Sequence, residues 1–320
     1  MGTSMILSNW RLVRTGILQA VLLLPAASQD ALPPPDVVNA AYGPHERNVL
    51  DLWKAKSAGP APLVIFIHGG GFTKGDKSGL SPVLLQECLR RGISVAAINY
   101  RYSTQAPYPA PMMDGARAVQ YLRHRAKEWN LDPRAIGATG SSAGAGISLW
   151  LAFHDDLAKP QSANAVERQS TRLTAVALDN AQSTYDPRVL ATLIDGVTAR
   201  IDALRMLFNV PDGDPLDAKH AYAHYDDASP VTHLTAGDPP VLLHYARPNS
   251  PLPPANWSVG IHHPRLGYYL KERMDKLGIE CTVRVKDDFE GKPAGQAQRE
   301  KVEFFARQFG GSRKGTGVSH

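Results

Sequence analysis

Residues 136–146 read Ile-Gly-Ala-Thr-Gly-Ser-Ser-Ala-Gly-Ala-Gly, which puts Ser142 at the centre of a Gly-x-Ser-x-Gly pentapeptide running from Gly140 to Gly144. An apolar run precedes it (Ala135-Ile136-Gly137-Ala138-Thr139) and a helix-compatible run follows (Ile147-Ser148-Leu149-Trp150-Leu151-Ala152-Phe153). That order, strand then turn then helix, is what a nucleophile elbow requires. So sharp a turn strains the serine backbone and leaves no room for side chains beside it, hence the glycines. Small-residue turns are common, and the pentapeptide alone does not decide the matter. It gains force from His68-Gly69-Gly70-Gly71-Phe72, which directly follows the strand-like Leu63-Val64-Ile65-Phe66-Ile67. A glycine loop there offers unhindered backbone N–H groups to a developing oxyanion.

Outward from the elbow, buried strands alternate with helices. Tyr42 to Trp53 suggests a turn and an alternating edge strand. After strand 63–67, Ser81-Pro82 gives a cap followed by proline at the first helical position. That helix stops at Gly92 before a second buried strand, Ile93–Asn99, and another helix is expected from about Pro111 to Trp129. Beyond the elbow come strands Leu173–Leu178, Pro240–His244 and Glu280–Val285, with helices over Pro264–Leu277 and Gln296–Phe309. The alternation predicts an α/β fold: a mostly parallel central sheet with helices on both faces. Residues 186–235 interrupt it with two helical patterns, Val189–Phe208 and Asp217–His224, read as a small helical insertion after the sixth strand. Either it lies over the carboxyl edge of the sheet, where ligands bind in such folds, or it is a peripheral decoration.

With 320 residues and 43% apolar content, the chain can bury one large core. Residues 1–30 read as a signal peptide: Arg11 and Arg14 precede the apolar stretch Gly16–Leu24, and Ala26-Ala27-Ser28 follows. The apolar stretch is shorter than the roughly 20 residues that span a bilayer, so no stable membrane insertion is expected after cleavage. Residues 31–36 form a Pro-rich linker, 37–311 a single domain, and 312–320 a flexible tail. The expected location is secreted or periplasmic. The net charge of +5 comes from Lys and Arg scattered among Asp and Glu, the pattern of a solvated surface rather than of a nucleic-acid partner. Cys88 and Cys281 are compatible with one disulfide or with two buried thiols.

Several segments together resemble the α/β-hydrolases, and within them carboxylesterases similar to hormone-sensitive lipase and to bacterial feruloyl/acetyl esterases. The matching residues are His68–Phe72, Asn99-Tyr100-Arg101-Tyr102, Tyr108-Pro109-Ala110 with Asp114, Asp132-Pro133, Gly140–Gly144, Ser229-Pro230 and Pro239-Pro240. They cover roughly residues 45–245 in the family's order. The resemblance implies the α/β-hydrolase fold, with Ser142 as nucleophile and Gly70, Gly71 and Ala143 as backbone oxyanion donors. It implies His68 as structural support for the loop, Asn99-Tyr100-Arg101 as a brace for the sheet edge, and Asp114 as a helix anchor. The substrate it implies is a small-molecule or carbohydrate ester of a short acyl or aryl acid, with no cofactor.

The resemblance fails at the other two members of a triad. The family places its acid after the seventh strand and its histidine after the eighth. Residues 246–263 contain no Asp or Glu, and beyond Ile279 the only histidine is His320. A serine hydroxyl needs a base to take its proton, and the acid fixes that base's tautomer. Three arrangements stay open. The roles have exchanged loops, with His262 or His263 as base and Asp288, Asp287 or Glu290 as acid. Alternatively the base is His233, His224, His220 or His244, with the acid at Asp179-Asn180. In the third, the elbow and oxyanion loop persist in a ligand-binding protein that has lost efficient hydrolysis. A metal site is not indicated, because adjacent His262 and His263 diverge and no third ligand has recognisable spacing.

Overall fold

The computed structural model describes residues 1–2, 32–194, 202–216 and 218–314, with backbone alone at 202 and 311–314. Leu32–His320 is one compact unit, and the description below concerns it. The signal-peptide reading of residues 1–30 falls almost entirely outside the described residues.

Eight strands form one sheet: β1 (Val37–Ala41), β2 (Val49–Trp53), β3 (Ala61–Ile67), β4 (Ser94–Ile98), β5 (Leu131–Ser141), β6 (Ala175–Asp179), β7 (Val241–His244) and β8 (Cys281–Arg284). Their spatial order is β1-β2-β4-β3-β5-β6-β7-β8. The β1/β2 and β2/β4 pairs are antiparallel and every other pair is parallel. The predicted edge strand is therefore the second of a pair, since Val37–Ala41 also joins the sheet. Three of its five residues, Val38, Asn39 and Ala41, are exposed, so it lacks the alternation of a half-buried strand.

Successive side chains of a strand face opposite sides, and two cores result. On one face Leu63, Ile65 and Ile67 of β3 join Ile136 and Ala138 of β5 against helices α2 (Ala110–His124) and α4 (Ala143–Phe153). On the other face Val64 and Ala135 meet Leu84, Leu85 and Cys88 of α1 (Pro82–Arg90), together with Val302, Phe305 and Phe309 of α10 (Gln296–Lys314). Gly137 of β5 must lack a side chain, because a Cβ there would lie 2.7 Å from the Phe305 ring. The Ser81 hydroxyl caps α1 by accepting from the Leu84 N–H, as the Ser-Pro pair predicts. The long helix expected over 111–129 breaks into α2 and the short α3 (Ala126–Trp129), which ends at Asn130 in the left-handed region.

The insertion contributes α5 (Pro187–Ile194), α6 (Asp202–Leu207) and α7 (Tyr222–Ala228), with 195–201 and 217 outside the described residues. It sits at the carboxyl edge. Leu190, Ala203 and Leu204 wall a pocket that opens onto Ser142, and the Tyr108 N–H donates to the Leu207 carbonyl (2.7 Å). Between β7 and β8 come α8 (Trp257–Gly260) and α9 (Arg265–Lys276). Cys88 and Cys281 are both free and buried on different elements, and burial pushes each thiol up to about 12.

Candidate active site

Ser142 is the link between β5, in the middle of the sheet, and α4. Its backbone has φ 52° and ψ −119°, a region an L-residue occupies only under constraint. The constraint is visible: the Ser142 N–H donates to the Asp179 carbonyl (3.0 Å), and the Gly146 N–H to the Ser142 carbonyl (2.9 Å). A Cβ on Gly144 would stand 2.0 Å from the Ile67 carbonyl oxygen, so β3 and the start of α4 touch backbone to backbone.

The glycine loop after β3 is held from below by His68. Its ring stacks on Tyr100 with centroids 4.3 Å apart, and its Nδ1–H donates to the Gly69 carbonyl (2.8 Å). The Arg47 guanidinium approaches its Nε2 at 3.3 Å. Burial lowers the His68 pKa to about 4, keeping the ring neutral, as that bonding pattern demands. The Tyr100 hydroxyl donates to the His68 carbonyl (3.1 Å). Asn99 joins the same brace: it takes the Lys77 N–H (2.6 Å) and donates to Asp76 (2.7 Å). Asp114 accepts the Arg101 side chain through both carboxylate oxygens (2.9 and 2.7 Å) and so fastens α2 to the segment after β4.

Gly71 and Ala143 border the same narrow pocket as Ser142, with Phe72, Tyr185, Leu190 and Ile261 among its walls. Gly70 borders the neighbouring cavity, on the side of His68 and Asp76. Its glycine identity has a separate reason: φ is +111°, and a Cβ would lie 2.1 Å from the Lys74 carbonyl oxygen.

Of the two adjacent histidines, His262 is the one brought to Ser142. Its Nε2 lies 2.9 Å from Ser142 Oγ. It follows α8, whose first turn is capped by the Asn256 side chain accepting from the Val259 N–H (3.1 Å). The end of that helix turns the Ser258 carbonyl toward His262 Nδ1, at 3.0 Å. A carbonyl only accepts, so Nδ1 carries the proton and Nε2 presents its lone pair to the serine. Burial lowers the His262 pKa, and the Arg247 charge adds to the effect against the bond to Ser258. The loop is tied to the sheet by Gln182, whose amide donates to the carbonyls of Ile261 (2.8 Å) and Asn180 (2.9 Å). Gln182 was not among the sequence candidates; nothing in a lone glutamine after a strand signals that role.

The other candidates lie elsewhere. His263 is buried with its Nε2 at 3.0 Å from the Ser250 carbonyl, while its Nδ1 accepts from the Arg265 N–H (3.1 Å). Adjacent residues on a turn diverge, so only one of the pair reaches Ser142. Asp288 caps its own turn by accepting from the Val285 N–H (2.8 Å), which spends the carboxylate locally. Among the described residues no ion pair joins His262 to Asp288, Asp287 or Glu290. Asp179 and His244 do meet, Nδ1 to Oδ1 at 3.9 Å, but Asp179 also holds Lys301, Nζ to Oδ2 at 2.5 Å, His244 faces Glu300 at 3.2 Å, and the histidine at Ser142 is His262. His220 and His224 are exposed on the insertion, and His233 bonds the Asp227 carbonyl (2.7 Å). The site thus brings together a serine, a histidine and a main-chain carbonyl, with Gly71 and Ala143 lining the same pocket as the serine.

Comparisons agree with this architecture. Over 224 residues the chain is 30% identical to a probable carboxylic ester hydrolase, LipM, of Mycobacterium tuberculosis, covering 67% of this chain and 48% of that one. Esterase LipQ of the same organism is 30% identical over 45% of this chain and 37% of its own length. The chain therefore spans about half the length of the curated relatives it matches. Among solved structures, a truncated carbohydrate esterase from gut microbiota superposes with a TM-score of 0.65 at 21% identity, over 86% of this chain and 96% of that one. Esterase 2 of Thermogutta terrifontis gives 0.60 at 20% identity, over 87% and 95%. The BD-FAE family model matches residues 50–258, so the chain belongs to the BD-FAE family, among the esterases of the α/β-hydrolase fold.

Proposed function

We propose that this chain is an exported serine carboxylic-ester hydrolase working through an acyl-serine intermediate, with His262 as its general base and acid. The observation that carries the proposal is the 2.9 Å contact between Ser142 Oγ and His262 Nε2 on an elbow beside the Gly71 and Ala143 amides. Ser142 Oγ attacks the ester carbonyl while its proton passes to His262 Nε2. The carbonyl oxygen becomes an oxyanion beside the Gly71 and Ala143 N–H groups. Collapse breaks the bond to the alcohol, which leaves with the proton from His262. Water then gives a proton to His262 as it attacks the acyl-serine, and collapse breaks the bond to Ser142 Oγ, which takes that proton back from His262 as the acid leaves.

The Ser258 carbonyl stands where a carboxylate would orient the histidine. It supplies the tautomer, which is the part of the acid's role whose loss costs about 10⁴ in rate. It adds no full negative charge to stabilise the imidazolium. The pocket beside Ser142 is narrow and walled by Phe72, Tyr185, Leu190 and Leu204, which suits a short acyl group on an alcohol that reaches outward. The carbohydrate esterase among the structural neighbours makes an acetylated sugar a reasonable first substrate to try. The charged, apolar, then small-residue order of residues 1–30 supports export.

The test is p-nitrophenyl acetate hydrolysis with labelling of Ser142 by a fluorophosphonate. Serine-dependent turnover and stoichiometric labelling are expected. Equal background rates for wild type and Ser142→Ala, with no label taken up, would favour the second reading, a ligand-binding member of the fold. That reading draws on the missing carboxylate at His262.

A further inference from the structure

At the far end of α4 from Ser142, three side chains from distant parts of the chain converge. His154 closes α4, Asp227 sits in α7, and His233 ends the short 3-10 turn Pro230–His233. One donor atom of each lies within 4.8 Å of those of the other two. The His154 and His233 rings are 4.6 Å apart, and His154 also packs against Trp150 at 4.1 Å.

We propose that His154, Asp227 and His233 form a zinc-binding site that clamps the end of the insertion to the nucleophile helix. Each of the three side chains has a polar neighbour, and His233 Nε2 stands 3.8 Å from Asp227 Oδ1. His154 Nδ1 lies 2.9 Å from the Asp155 carbonyl and His233 Nε2 lies 2.7 Å from the Asp227 carbonyl. Carbonyls accept only, so those two nitrogens carry protons, and the atoms left for a metal are His154 Nε2 and His233 Nδ1. An outer bond of this kind fixes the tautomer and orientation of a ligating histidine. Asp227 has the same support, since its Oδ2 accepts from the Tyr108 hydroxyl.

The electrostatics favour a cation at this place. His154 stands at the C-terminus of an 11-residue helix, where the dipole is negative, and the exposed Asp155 and Asp156 follow it. Two imidazoles and one carboxylate suit zinc, with water as a fourth ligand, and are too nitrogen-rich for calcium or magnesium. Tetrahedral ligands at zinc's usual bond lengths stand about 3.4 Å apart, so the three side chains close in by about 1 Å on binding. All three have the freedom to do so, being half-buried or exposed.

The ion's role is structural rather than chemical. Twelve residues of helix separate His154 from Ser142, about 18 Å at the helical rise. A zinc ion here would reinforce a join already made by the Trp150 indole N–H, which donates to the Asp227 carbonyl (2.9 Å). Sequence spacing could not reveal the site, because positions 154, 227 and 233 meet only through the fold.

The experiment is calorimetric titration of zinc chloride into tag-free, chelator-treated protein, with thermal melts alongside. One zinc per chain and a melting temperature raised by several degrees are expected. His154→Ala and His233→Ala should each weaken binding by about tenfold or more, and the double variant should lose both the binding and the thermal shift. His124→Ala, on the exposed end of α2, should bind as wild type. Circular dichroism on each variant separates lost binding from lost folding, and calcium chloride should give no heat. Absence of stoichiometric binding by wild type, or undiminished binding by a folded His154→Ala/His233→Ala double variant, overturns the proposal.

Discussion

The two halves of the candidate site are built in opposite ways. The elbow and glycine loop grow from β5 and β3, adjacent strands in register at the middle of the sheet, Ile67 opposite Gly140. Their geometry follows from close backbone contacts that only glycine permits. His262, the proposed base, arrives instead from beyond β7, after a proline-rich segment whose last part is the four-residue helix α8. Its placement depends on a few directed hydrogen bonds: the Asn256 cap, the Gln182 tether and the Ser258 carbonyl. A rigid nucleophile can tolerate a base borne on a loop if that loop is pinned at the base itself. The family model stops at residue 258, four positions before His262.

The sharpest way to break this comparison is to remove either end of the 2.9 Å contact. Ser142→Ala and His262→Ala are each expected to cut kcat by about 10⁴–10⁶-fold, and the double variant by little more than either. A His262→Ala enzyme retaining wild-type turnover would place the base elsewhere. His263→Ala should behave differently although it is next in sequence. Its ring is buried and its Nδ1 caps the entry to α9, so about 2–4 kcal/mol of stability should go. The melting temperature should fall by several degrees while kcat in the surviving fold stays within a fewfold of wild type.

Gln182→Ala tests the loop half on its own. Loss of two bonds to the Ile261 and Asn180 carbonyls frees the turn that carries His262, and kcat should drop about 10- to 100-fold with KM little changed. If KM rises instead, Gln182 contacts substrate rather than positioning the base. The acid limb of the pH profile reads the same half. His262 acts only when neutral, and burial holds its pKa below the usual 6.5. Hence kcat/KM should stay level through neutrality and fall only below pH 6.5, about tenfold per unit once the ring is protonated. A limb centred above 6.5 would mean that a carboxylate stabilises the imidazolium after all.

What was legible in the sequence follows the same division. Gly140 and Gly144 mark the elbow because a Cβ at either would strike the Ile67 carbonyl, and the runs at 63–67 and 173–178 mark central strands because both faces are buried. The edge strand Val37–Ala41 escaped notice, since half of it faces solvent. His262 and His263 could not be told apart, because the choice turns on which way a single turn of helix points them. The acceptor for His262 Nδ1 is expected to be a carboxylate, and the structure places a main-chain carbonyl there, which no sequence pattern marks.

The finest test concerns that missing acid. Asp288 was the carboxylate favoured for an exchanged triad, and the structure gives it a local duty, accepting the Val285 N–H at 2.8 Å. Asp288→Asn keeps an oxygen acceptor for that bond and removes the charge. If the Ser258 carbonyl alone orients His262, kcat should remain within about twofold of wild type and the acid limb should not move. The variant of a true triad acid would behave otherwise, because an amide in place of the carboxylate favours the wrong tautomer and costs about 10⁴ in kcat. The two expectations differ by orders of magnitude, so one kinetic profile on one variant decides whether the loop-borne half of the site is complete with a backbone acceptor.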